Sequence, residues 1–476
     1  MNRRCRSLLI TVATLMLASC TMGPDYQRPE VPVPEDFRYT VVDGASFANL
    51  QWWELFDDER LVELIKTALV DNKELAVAVA RIEEARATLG FVRADQFPNL
   101  DGQAGAARGN TIPGVDLPGS INDSFILAAN LSFEVDLWGK LRRSTESARA
   151  ELLATVEARN VVTITLISDV ASIYLLLLDI DARIEIAERT KKTREESLGI
   201  IQARFDKGTV PLIDVNQAQI ELADAEAELS ALERQQGLAE NSLSVVLGRN
   251  PGPILRGSQD PASTLDIPEI PVGLPSELLE RRPDVRQASQ QLAAQTARIG
   301  VAEALRFPSL SLTGSLGLAS DDLSGFLSSE NKVWGISGNL LGPIFDAGRN
   351  KSRVEAEMAL TEQLLNIYQL TVLQSFQEVD DALIEINTYR QEAEARERQV
   401  SAARSATDLS RARYNGGVTS YLEVLESERS LFRAELLASA TRREQVVAIV
   451  RLYKALGGGW ENEQQADPTP NSHVSF

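Results

Sequence analysis

The chain has 476 residues, 44% hydrophobic and 24% charged, enough apolar material for a large folded core. Its formal net charge is −20, and beyond the first few residues it has no Lys/Arg-rich run. That balance argues against nucleic acid as a partner, since such binding depends on neutralising phosphates; it suits a solvated acidic surface or a lumen that repels anions.

The first twenty residues read as an export signal. Arg3, Arg4 and Arg6 precede an apolar run from Leu8 to Leu17, followed by Ala18-Ser19-Cys20. A basic start, a short apolar core and small residues before a cut make a bacterial secretory signal over 1–19, too short to span a membrane. Leu-Ala-Ser-Cys resembles the lipobox of bacterial lipoproteins, which implies covalent lipid on Cys20; the alternative is a plain signal with an incidental cysteine. Cys5 leaves with the signal, so Cys20 stands alone and no disulfide within the chain is possible. In lipoproteins an Asp after that cysteine keeps the protein at the inner membrane. Thr21 and Met22 stand there here, which implies the outer membrane.

Residues 20–50 carry Pro24, Pro29, Pro32 and Pro34 and read as an extended tether. A first structural repeat follows over 51–249. It is helical from Trp52 to Phe97 and stops at Phe97-Pro98, because proline disfavours helix in the residue before it. From Ser124 to Asp136 the pattern alternates, with Phe125, Leu127, Ala129, Leu131, Phe133 and Val135 on one side and mostly polar residues on the other. This is strand periodicity, and Leu100 to Gly109 is its Gly/Ala-rich partner. Helical periodicity then runs from about Ser144 to Arg204, and 60 residues of helix reach roughly 90 Å. After a turn, a second apolar stripe from Ala218 to Val246 has coiled-coil spacing.

Residues 250–275 hold six prolines and form a linker. The plan then restarts as a second repeat over 276–460. A helical stretch from Ser276 ends at Phe307-Pro308, strands read over Ser309–Leu318 and Trp334–Phe345, and a long helix runs from about Asn350 to Tyr414. A last helix ends at Ala455, and residues 461–476 are a polar tail. The two turns between helices spell one sentence twice. Arg204-Phe-Asp-Lys-Gly-Thr-Val-Pro-Leu-Ile-Asp-Val215 returns 209 residues later as Arg413-Tyr-Asn-Gly-Gly-Val-Thr-Ser-Tyr-Leu-Glu-Val424. Glycine permits the positive φ that ends one helix and turns into the next.

The strand segments bear on function. About ten residues each, apolar on one face and small or polar on the other, they match strands of an outer-membrane barrel. Four strands cannot close one, and open edges do not persist in lipid. Other chains must complete them: two chains give eight strands and a filled lumen, three give twelve and an open channel.

The whole mature chain resembles the TolC-like outer membrane factor family, in the lipoprotein branch serving resistance–nodulation–division efflux pumps. The residues that carry the resemblance are Leu274-Pro-Ser-Glu-Leu-Leu-Glu-Arg-Arg-Pro-Asp-Val285, Tyr421-Leu-Glu-Val-Leu-Glu-Ser-Glu-Arg-Ser-Leu431, Leu452-Tyr-Lys-Ala-Leu-Gly-Gly-Gly-Trp460 and the lipobox. It implies a mainly α homotrimer with a small transmembrane β part: a 12-stranded barrel, four strands per chain, on a long α-helical periplasmic barrel. The Pro-rich linker falls in an equatorial collar. The resemblance further implies a periplasmic gate at Leu422, Glu426 and Arg429, with Glu426 where relatives carry Asp. The turn residues Gly208, Thr209, Val210, Gly417, Val418 and Thr419 would dock a periplasmic adaptor protein, which links to the inner-membrane pump. Gln217 occupies the place of Glu426 in the first copy, so that copy docks while the second docks and gates.

Nothing in the sequence suggests catalysis. There is no Gly-rich phosphate loop, no Cys/His metal spacing and no nucleophile elbow, and the one histidine, His473, lies in the tail. Arg281-Arg282-Pro283-Asp284 reads as a helix start. The expectation is a passive conduit without cofactor or metal. The rival readings are the outer-membrane channel of a type I protein-secretion system and a non-channel periplasmic scaffold lipoprotein.

Overall fold

The computed structural model describes residues 21–34, 36–39, 58–109, 122–257 and 275–458. The signal 1–19, Cys20, Trp52, most of the Pro-rich linker, Trp460 and the tail with His473 lie outside them. The elements are α1 (Glu59–Asp71), α2 (Lys73–Ala94), β1 (Asn99–Gly109), β2 (Asn122–Val135), α3 (Lys140–Asp206), α4 (Leu212–Val246), α5 (Pro275–Arg281), α6 (Pro283–Ala304), β3 (Ser309–Ser320), β4 (Lys332–Leu341), α7 (Arg349–Asn415) and α8 (Tyr421–Ala455). Helices α3 and α7 are each 67 residues long, and α4 and α8 are each 35, so the sequence repeat is a repeat of structure.

Two compact units divide the chain. The first holds the four strands, the adjoining parts of α2, α3 and α7, most of α6 and residues up to Val31. Its sheet is antiparallel throughout in the order β1-β2-β3-β4. Register places Leu127 opposite Leu318 and Leu316 opposite Trp334, which puts most of the large apolar residues on one face, with Ile126, Val333 and Leu341 on the other. That face is open in the single chain: Leu316 is 65% exposed, Trp334 75% and Ile336 82%. The other face is mostly polar, with Thr313 and Ser337 hydroxyls 2.7 Å apart and Asn130 Nδ2 donating to Gln103 Oε1 at 3.2 Å. An exposed apolar face backed by a polar one is the pattern of a lipid-facing wall. Strand β4 ends at Leu341, short of the expected Phe345, because Gly342-Pro343 follows and proline has no N–H for the ladder. At the foot of the sheet Trp138 stacks on Phe307 at 4.7 Å and donates its indole N–H to the Pro308 carbonyl at 2.8 Å.

The second unit is helical. Buried Leu61, Leu64 and Ile65 of α1, Tyr174, Leu177 and Ile180 of α3, Leu243 of α4 and Val446 to Val450 of α8 contribute to its core. The single helical stretch expected from Trp52 to Phe97 is broken at Asn72. Its Oδ1 accepts from Leu75 N at 2.8 Å and its Nδ2 donates to the Val246 carbonyl at 2.8 Å, so this side chain caps α2 while tying it to α4. Helix α6 starts at Pro283, as the Arg-Arg-Pro-Asp reading expects, with proline at the first helical position, where its missing N–H costs nothing. Arg282 before it is 6% exposed and donates to the Ala455 carbonyl at 2.8 Å and to Asp284 at 2.7 Å.

Candidate functional site: the two helical hairpin tips

Both tips close in the same way. After α3, Gly208 takes φ +71°, its N–H donates to the Phe205 carbonyl at 2.7 Å, and Thr209 N donates to Arg204 O at 3.0 Å. After α7, Gly417 takes φ +72°, donates to Tyr414 O at 3.0 Å, and Val418 N donates to Arg413 O at 3.0 Å. This paired bonding back to the last turn satisfies carbonyls that the helix end would leave free. Of the glycine pair Gly416-Gly417, only the second uses a positive φ. Pro211 and Ser420 then start α4 and α8 with nearly identical backbone angles, φ −77°, ψ 158° and φ −79°, ψ 159°.

The tips pack on one another through a shared cluster of Ile201, Val215, Ala218, Tyr421, Val424 and Leu425, flanked by Phe205, Val210 and Tyr414. The Arg204 guanidinium lies over the Tyr414 ring at 5.1 Å, and Tyr414 meets Tyr421 at 5.4 Å. Of the residues expected to dock a partner, Gly208, Thr209, Gly417 and Val418 are exposed, Val418 to 72%. Val210 is half-buried against the cluster, and half-buried Thr419 donates its hydroxyl to Glu423.

The residues expected to gate sit one turn above the second tip. Leu422 is 53% exposed and the Glu426 side chain 70%, so both project freely from α8 in the single chain. Arg429 lies 3.7 Å from Glu426, but its Nε and Nη2 are directed at Glu221 of α4. The Glu221 side chain is 2% exposed and also meets Arg194 Nη2 of α3 at 3.0 Å; Arg194, 3% exposed, lies over the Phe432 ring at 5.1 Å. One buried carboxylate thus ties α3, α4 and α8. Burial lowers the Arg194 pKa, opposed by the charges of Glu221, Glu428 and Asp224; a guanidinium stays charged all the same. Nearby, Glu428 takes Arg411 of α7 at 2.7 Å, and Ser427 bonds Ser410 at 2.6 Å. Farther up, Glu435 of α8 holds Arg189 of α3 at 2.7 Å and Arg404 of α7 at 2.9 Å.

Glu221 was the residue that sequence reasoning passed over. The signal was present: it lies three residues after Ala218 and four before Ala225, a charge inside the buried stripe of α4. Chemically the site holds helices by charge. Among the described residues, no group of three His, Cys, Asp or Glu side chains is placed to hold a metal ion.

A two-faced sheet of membrane-crossing strands and paired helical hairpins tied by charge at their tips define a channel-forming membrane protein. The chain belongs to the outer membrane efflux protein family, whose profile matches residues 64–249 and 274–458. It is 32% identical over 462 residues to the cation efflux system protein CusC of Escherichia coli O6:H1, covering 96% of this chain and 99% of that one. It is 34% identical over 462 residues to the toluene efflux pump outer membrane protein TtgI of Pseudomonas putida, covering 95% and 98%. The crystal structure of the open state of the MtrE outer membrane channel of Neisseria gonorrhoeae superposes with a TM-score of 0.83 at 31% identity, covering 92% of this chain and 98% of that one. The protein is an outer-membrane efflux channel reaching into the periplasm, and not an enzyme.

Proposed function

We propose that three copies of this chain form the outer-membrane exit of a tripartite pump, with a gate at the second hairpin tip and the lipid anchor on Cys20. Three four-stranded sheets pair edge to edge, β4 against β1, into a twelve-stranded barrel whose apolar face meets lipid. The exposed turns Gly208, Thr209, Gly417 and Val418, with Val210 and Thr419 behind them, receive a periplasmic adaptor, and a resistance–nodulation–division pump supplies the energy. The relatives are efflux components, which favours efflux over protein secretion. Relatives of similar likeness are named for a cation and for toluene, so cargo choice is assigned to the pump and not to the channel.

The observation that carries the gate is the division of labour on one face of α8. Leu422 and Glu426 are free to crowd an axis, while Arg429 on the same face is held back by Glu221. Replacing Leu422 and Glu426 together by Ala removes the crowding side chains and raises conductance in planar bilayers. Unchanged conductance from intact trimers would sink the assignment.

A further inference from the structure

The segment after Cys20 is stitched to the first copy of the repeat. Met22 N donates to the Trp138 carbonyl at 3.1 Å. Arg143 of α3, only 4% exposed, donates Nε to Met22 O and Nη2 to Gly23 O, each at 3.1 Å, and Nη2 also to Asp25 Oδ1 at 2.7 Å. Its remaining nitrogen pairs with Glu146 at 2.8 Å. Gly23, at φ +86°, lies flat on α6: a Cβ on Gly300 would stand 2.5 Å from Met22 O. A Cβ on Gly139 would stand 2.4 Å from Thr21 Cγ2. Farther along, the Tyr26 hydroxyl meets Ser289 Oγ at 2.8 Å and Arg28 Nε donates to the Tyr368 hydroxyl at 3.2 Å.

Among the described residues, the second copy has no such seat. Gly348, 209 residues after Gly139, has nothing within 4 Å of the same position, and Ser352 stands in place of Arg143.

We infer that Arg143 is the positioning residue that decides where the lipid-bearing end of the chain leaves the protein. This rests on the reading of Cys20 as lipidated. Thr21 is seated at Gly139, where β2 gives way to α3, and the next Cα back along the chain is about 3.8 Å away. The acyl chains are therefore delivered at the foot of the sheet and not at the end of a free tether. Charge-assisted bonds from a buried guanidinium fix the segment, and without it Arg143 would keep only Glu146 among the described residues.

The test is hydrogen–deuterium exchange on the full-length protein in detergent, read on peptides covering residues 21–31. Exchange there is slow in the unaltered chain and at least tenfold faster in Arg143→Ala, with peptides from β2 and β3 unchanged. Because Arg143 is buried and its loss can disturb folding, Gly300→Ala is the second variant. Alanine improves helix propensity within α6, yet its methyl group occupies the place of the Met22 carbonyl, so the same acceleration is expected. A segment as protected in Gly300→Ala as in the unaltered chain overturns the proposal. So does loss of protection across sheet and segment together in both variants, which would make Arg143 a general structural residue. The mass of the N-terminal peptide reads the lipid separately: an unmodified Cys20 overturns the anchoring role and leaves the exchange result to judge the seat alone.

Discussion

Changing Glu221 to Gln tests whether the tip network works as a latch. The carboxylate is shared by two arginines of very different burial, Arg194 at 3% and Arg429 at 44% side-chain exposure. Removing one partner of a buried pair costs about 3–5 kcal/mol, and the amide, which keeps an acceptor for Arg194, places Glu221→Gln near the lower end. The Arg429 half is a partly exposed pair, worth about 1 kcal/mol at most. Three such ties released together in a trimer amount to about 3 kcal/mol, a shift of roughly 150-fold in a closed–open equilibrium. Single-channel recording gives the open probability and thermal unfolding gives the stability. Arg429→Ala should raise the open probability with little change in Tm; Glu221→Gln should raise it as much and lower Tm clearly. The double variant should open no further than Glu221→Gln alone. Multiplying effects in the double variant, or an Arg429→Ala channel that opens like the unaltered one, would refute the latch.

Three further outcomes are expected. Gly417→Ala forces a side chain into φ +72° and should cost about 1–2 kcal/mol in thermal unfolding, whereas Gly416→Ala, whose Cβ would meet nothing closer than 3.5 Å, should be near neutral. Bulky residues at Thr209 and Thr419 should abolish drug export while trimers remain intact on gels; export that survives both would leave the tips as turns only. Burial in the tip cluster, with Glu428 and Tyr414 nearby, raises the Tyr421 pKa. The unfolded chain then loses this proton at about pH 10 while the folded one retains it, so stability is full below pH 10 and falls as pH rises. Tyr421→Phe should reduce that alkaline loss in melts between pH 9 and 11.

Much of this was legible in the sequence because it is local or repeated. Gly208 and Gly417 announce helix ends by their conformational freedom, and strand alternation fixes which face of the sheet is apolar whatever the chain does elsewhere. What stayed hidden depends on partners far away along the chain. Asn72 breaks a helix only because Val246 offers it a carbonyl, and Arg143 looks like any arginine in the first turn of a helix until Met22 and Gly23 arrive. Glu221 was half visible, since a carboxylate in a buried stripe demands a cation, but nothing local names Arg194 and Arg429 as those cations.

The pairing of β2 with β3 has a kinetic consequence. Val135 meets Leu310 across 175 residues (310 minus 135), so the middle of the sheet waits until most of the chain has been exported. Until then β1 and β2 form a lone hairpin, which is marginal in water, with Leu127 and Leu131 bare to solvent. Long-range pairing of this kind folds slowly and leaves strand edges open to wrong partners. The first helical hairpin, α3 with α4, lies wholly before β3 in the chain and can set before it. The wait for β3 is therefore a stage at which the chain needs protection from aggregation.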